Sequence, residues 1–90
     1  LEALSRGYQV SIGRVNGREI DFVLRRGEEQ RYLQVAYLLA DSDTVEREFG
    51  VYRQVQDNHP KYVLSMDPVD FSREGILHRN IVDFLEMERW

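Results

Sequence analysis

The sequence predicts an α/β chain of the mixed-sheet, α+β kind: three antiparallel strands, a crossover helix, a further parallel strand and a short C-terminal helix. Three observations predict it. Polar and apolar residues alternate through "YQVSIGRV" and "REIDFVLR", the period of half-buried strands. Asn16-Gly17 separates the two runs and is the strongest short hairpin signal. A helical stripe at Val45, Phe49 and Tyr52 then leads to a second apolar run, "KYVLSM", and a helix between strands implies a right-handed crossover to a parallel neighbour.

Each element follows in order. "LEALSRG" reads as the last turn of a helix, with Gly7 as its left-handed C-cap. So short a helix is marginal alone, which suggests that residues 1–90 are a single C-terminal domain excised from a longer protein. After the first hairpin, Gly27-Glu28 offers a two-residue turn with Gly at its first central position, leading into a third strand, "RYLQVAYL". The helix spans Asp41 to Gln56, with Asp41 or Ser42 as its cap and acids at its start. "DPVDFSREG" is a loop, "ILHRN" a last edge strand, and "IVDFLEMERW" a closing helix capped by Asn80.

Composition bounds the function. Ninety residues, 42% hydrophobic and 31% charged, make one small domain with one modest core. There is no cysteine, so disulfides, thiolate metal sites and thiol redox chemistry are excluded. No apolar run approaches a membrane span or a signal peptide, so the expected location is cytoplasmic, with no membrane partner. A net charge of -4 argues against a strongly basic nucleic-acid binder.

The two turns fix a register. In it Asp21 stands opposite Ile12 and Gln34, and Glu19 opposite Arg14 and Ala36. Ile20, Phe22 and Leu24 share the other face with Leu33 and Val35, leaving Arg14, Glu19, Asp21 and Gln34 together. Paired carboxylates on neighbouring strands bind Mg²⁺ in metal-dependent phosphodiesterases, with a nearby lysine stabilising charge or activating water. Asp21 is therefore the candidate metal ligand, with Glu19 and Gln34 as candidate partners. Gln34 offers only a neutral carbonyl, and Arg14 cannot act as a base. The simpler reading of Arg14 and Glu19 is a cross-strand ion pair worth roughly 0.2 to 1 kcal/mol. Arg14 and Arg18 are the candidate contacts to nucleic acid or phosphate.

"GRVNGREIDFVLRRGEEQRYLQVAYLLADSDTVEREFG" and "DNHPKYVLSMDPVDFSREGILHRNIVDFL" together resemble the C-terminal domain of unknown function carried by bacterial and archaeal AAA+-type ATPases. That domain is similar to the PD-(D/E)XK, or restriction endonuclease-like, nuclease fold. The resemblance implies Asp21 of "EIDFV" as the metal-binding Asp, and it sets the E-x-K signature on Gln34-Val35-Ala36, where both functional positions depart from the pattern. The acid of the fold's first helix would lie ahead of this chain unless Glu2 supplies it. The implied function is a non-catalytic accessory or interaction domain with a degenerate nuclease-like site. The alternative is a residual Mg-dependent nuclease or a nucleic-acid-binding domain. The implied partners are an upstream ATPase domain of the same chain and either nucleic acid or protein. The chain has no G-x-x-x-x-G-K-[ST] loop, so ATP belongs to the implied upstream domain.

Other chemistry-bearing residues read as structural. His59 and His78 lack zinc-motif spacing. Asp67, Asp70 and Glu74 do not match a calcium loop. Ser65 and Ser72 have no nearby histidine in sequence to activate them. Met87 and Trp90 read as a frayed end or a contact with a partner.

Overall fold

The computed structural model describes residues 2–39 and 41–90. It is an α+β domain with one five-stranded mixed sheet, in which the strands lie side by side in sequence order. A single turn, α1 (Glu2–Ser5), precedes β1 (Gln9–Val15), β2 (Arg18–Arg26) and β3 (Glu29–Val35), which pair antiparallel. Then come α2 (Ser42–Gly50), a 3-10 turn (Val51–Gln54) and β4 (Lys61–Ser65), parallel to β3. A loop leads to β5 (Leu77–Asn80), parallel to β4, and to α3 (Ile81–Glu86).

The turns have the chemistry their residues favour. Asn16 and Gly17 both have positive φ, 50° and 79°, as a type I′ hairpin requires. At the second turn Gly27 alone is left-handed, at 61°, and Arg26 stands opposite Glu29.

The expected register fails at one point. Between the pairs Gly13↔Ile20 and Ser11↔Val23, β1 has one residue, Ile12, and β2 has two, Asp21 and Phe22. This is a β-bulge, and it reverses the inside-outside alternation of β2. Ile20 therefore shares the face of Val23, not that of Phe22 and Leu24. Asp21 is not paired simply with Ile12. Gly13 sits at the bulge because a Cβ there would lie 2.8 Å from Val23 Cγ2 and 3.2 Å from Ile20 Cβ.

The sheet is covered on both sides. On one, Ile20, Val23, Tyr32 and Val63 meet Val45, Phe49, Val51 and Tyr52 of the α2 segment. On the other, Leu24, Leu33, Tyr62 and Leu64 meet Tyr8 and Phe84. Burying side chains of this size contributes about 1.5 to 3 kcal/mol each. The Asp41 side chain caps α2, accepting the Thr44 N–H at 2.8 Å. The helix stops at Gly50 rather than reaching Gln56, and the tighter 3-10 turn takes over. Glycine is a weak helix former, and the next two residues, Val51 and Tyr52, both enter the core. The Tyr52 hydroxyl then donates to the Tyr62 carbonyl at 2.7 Å.

Asn80 caps α3, accepting the N–H groups of Val82 at 2.9 Å and Asp83 at 3.4 Å. Met87–Trp90 leave the helix rather than extending it. They fold back, with the Trp90 indole donating to the Phe84 carbonyl at 2.9 Å and its ring stacked on Phe84. Among the described residues no helix is long and apolar enough to cross a membrane.

Candidate functional site

The bulge re-aims Asp21. It stands at the end of the β2–β3 ladder, whose pairing runs from Arg26↔Glu29 to Phe22↔Leu33. Beyond that point side chains continue the connection. The Asp21 N–H donates to Gln34 Oε1 at 2.7 Å, and the Asp21 carboxylate accepts the Val35 N–H at 2.9 Å. Gln34 is buried, and its Nε2 reaches Glu48 Oε1 on α2 at 3.5 Å.

Asp21, Gln34 and Glu48 therefore converge where β2, β3 and α2 meet. Tyr52 reports the same convergence: burial pushes its phenol far above the ordinary range, and the charges of Asp21 and Glu48 push it further. Glu48 is itself engaged by Arg47 at 3.2 Å, and Arg18 donates to the Arg47 carbonyl at 3.3 Å. Sequence reasoning missed Glu48. The available signal was its position, three residues after Val45 and four before Tyr52, which places an acid on the sheet-facing flank of the helix.

The other predicted site residues are elsewhere. Ile20 faces α2, so the adjacent Glu19 faces away from it, where it pairs with Arg14 at 3.2 Å. Both side chains of that pair are more than half exposed, at 55% and 69%. Glu19 is therefore not beside Asp21, and Arg14 and Arg18 lie on opposite faces of the sheet. Glu2 is held by Arg6 at 2.7 Å. Ala36 packs against the core and donates its N–H to the Leu64 carbonyl at 2.9 Å.

Chemically, this corner offers two carboxylates with an amide between them. The Gln34 oxygen is committed to a main-chain donor, and its NH₂ group presents positive hydrogens to Glu48. A cation bridging two acids would need that space. Among the described residues no group of three or more His, Cys, Asp or Glu side chains is arranged to hold a metal.

A second polar cluster corrects the reading of Ser65. It is fully buried and bonded to His78, 13 residues away, with Nε2 2.7 Å from its Oγ. The Phe71 N–H donates to His78 Nδ1 at 3.1 Å, so the proton of the neutral ring lies on Nε2. Ser65 thus accepts from His78 and donates its own proton to Asp67 at 2.7 Å. The polarity is the reverse of an activated nucleophile, in which the histidine accepts the serine proton. Asp67 also accepts the Leu39 N–H at 2.7 Å, so the cluster ties three chain segments together. His59 packs edge-on against Tyr32.

No protein-family model matches the chain. Over 65 residues, 72% of its length, the chain is 32% identical to an uncharacterized protein of Haemophilus influenzae. It spans 16% of that relative's length.

Proposed function

We propose that this chain is a non-catalytic accessory domain on a degenerate PD-(D/E)XK nuclease-like fold, serving interaction within or beside an AAA+-type ATPase. The observation that carries the reading is the hydrogen-bonding of Gln34. Its amide binds the Asp21 main chain and approaches Glu48, filling with a neutral strap the position where phosphodiester chemistry needs a charged ligand. Ala36 leaves that chemistry without its lysine. The strand order and the placement of Asp21 after a hairpin support the fold assignment. The sequence resemblance alone supports the ATPase context. Nuclease assays with Mg²⁺ or Mn²⁺ test the proposal: no cleavage above background is expected. Metal-dependent cleavage that disappears in Asp21→Ala would overturn it.

A residual metal-dependent nuclease is the second reading, favoured by one observation: Glu48 brings a second carboxylate toward Asp21 from the helix. It requires Gln34 to release Glu48 when a cation enters. Calorimetric titration with Mn²⁺ separates the readings, since this one requires binding that is lost in both Asp21→Ala and Glu48→Ala.

A further inference from the structure

Beside the Gly27-Glu28 turn lies a cleft of about 560 Å³ lined by Arg6, Arg26, Arg31 and Arg89 against Glu29 and Glu88. Four cations face two acids, although the whole chain carries a net charge of -4. Aromatic rings form its walls. The Arg6 guanidinium lies 4.2 Å from the centre of the Trp90 ring, and that of Arg26 lies 4.5 Å from the centre of Tyr8.

The four arginines are not equally engaged. Arg26 is engaged at all three nitrogens: Nε and Nη2 hold Glu29 at 3.1 and 2.8 Å, and Nη1 holds the Arg6 carbonyl at 3.0 Å. Those bonds hold the Glu29 carboxyl below its ordinary range, with Arg31 and Arg89 adding their charges. Arg31 is different. Its Nη2 donates to the Trp90 main-chain oxygen at 2.5 Å, while Nη1 stays 3.6 Å from Glu29, beyond hydrogen-bond reach. Its Nε and the Nη1 of Arg6 are buried with no partner among the described residues. The two side chains are only 14% and 16% exposed. Arg89 makes no hydrogen bond or ion pair among the described residues.

Withdrawing guanidinium groups from water and leaving donors unbonded is costly. The planar donor fork of arginine matches the oxygens of phosphate, and the aromatic walls lower the local dielectric, strengthening attraction for an anion. We propose that this cleft binds a phosphate group, held by Arg31 and Arg89 with Arg6 behind them. The site is separate from the Asp21 corner and does not depend on the reading of that corner.

NMR titration of the chain at low ionic strength tests it, following the arginine Nε–H signals and the Trp90 indole N–H. Inorganic phosphate, a nucleoside monophosphate, a single-stranded oligonucleotide and acetate are added separately. Phosphate and the monophosphate are expected to shift these signals while acetate does not. A shift by the oligonucleotide alone would support the site as well, and would assign the phosphate to a nucleic-acid backbone. Arg89→Ala and Arg31→Lys should each weaken binding by about threefold to tenfold, with unfolding midpoints checked to show that both variants fold. Asp21→Ala should leave binding unchanged. The proposal is overturned if no phosphate compound shifts the signals at concentrations up to about 10 mM, if acetate acts equally, or if neither arginine variant weakens binding.

Discussion

The side-chain oxygen of Gln34 accepts the main-chain N–H of Asp21 at 2.7 Å, so a side chain continues the β2–β3 connection beyond the last paired residues, Phe22 and Leu33. Glu48, 3.5 Å from Nε2, lies at the other end of the same amide. Gln34→Glu keeps an acceptor for Asp21 but removes the donor to Glu48 and adds a charge at a buried position. Stability should fall by about 1 to 3 kcal/mol in urea unfolding without divalent ions. Addition of Mn²⁺ should recover part of that loss, because the corner would then hold three carboxylates. Gln34→Ala should be destabilised by a similar amount but show no recovery with Mn²⁺. Equal stability of wild type and Gln34→Glu without metal would refute the strap.

A second expectation concerns the bulge. Gly13→Ala places a methyl group 2.8 Å from Val23 Cγ2 and 3.2 Å from Ile20 Cβ. The Val23 side chain can turn, but the Ile20 Cβ is fixed to the main chain. The substitution should therefore cost about 1 to 3 kcal/mol by overpacking. Combining it with Val23→Ala relieves the nearer clash, so the double variant should be less destabilised than the sum of the two single variants. Strict additivity would show that Gly13 has another role.

Local signals made much of the scaffold legible. Asn16-Gly17, the Asp41 and Asn80 caps and the Val45-Phe49-Tyr52 stripe each depend on a few neighbouring residues, and each appears in the structure. The site was less legible because its geometry depends on non-local pairing. One extra residue in β2 moved Ile20 to the opposite face and separated Glu19 from Asp21. No two-residue turn encodes that shift; Gly13 was its only local sign. Glu48 and the Ser65–His78 contact were hidden for a related reason. They meet only once α2 packs on the sheet and β4 pairs with β5.

The last expectation follows from the proton on that histidine. His78 is 2% exposed, and its Nδ1 accepts the Phe71 N–H at 3.1 Å. Burial lowers its affinity for a proton below the ordinary 6.5, against the opposing influence of Asp67 and Asp70, while Arg79 lowers it further. Protonation would set a second N–H against that of Phe71. Because the folded-state pKa is depressed, the unfolded chain binds the proton first as pH falls. The stabilisation from neutral His78 is complete above the unfolded value and declines as pH drops through 6.5 toward the lower folded value. Asp67 acts in a separate window. Its carboxyl is held below 3.8, chiefly by the hydrogen bond from Ser65, so its contribution is lost only in stronger acid. Urea midpoints should therefore fall between about pH 7.5 and about pH 5, and His78→Gln should flatten that slope even if its stability is lower throughout. Hydrogen exchange should place the first acid-induced opening at the amides of Phe71 and His78. A slope unchanged in His78→Gln would assign the proton uptake to another group.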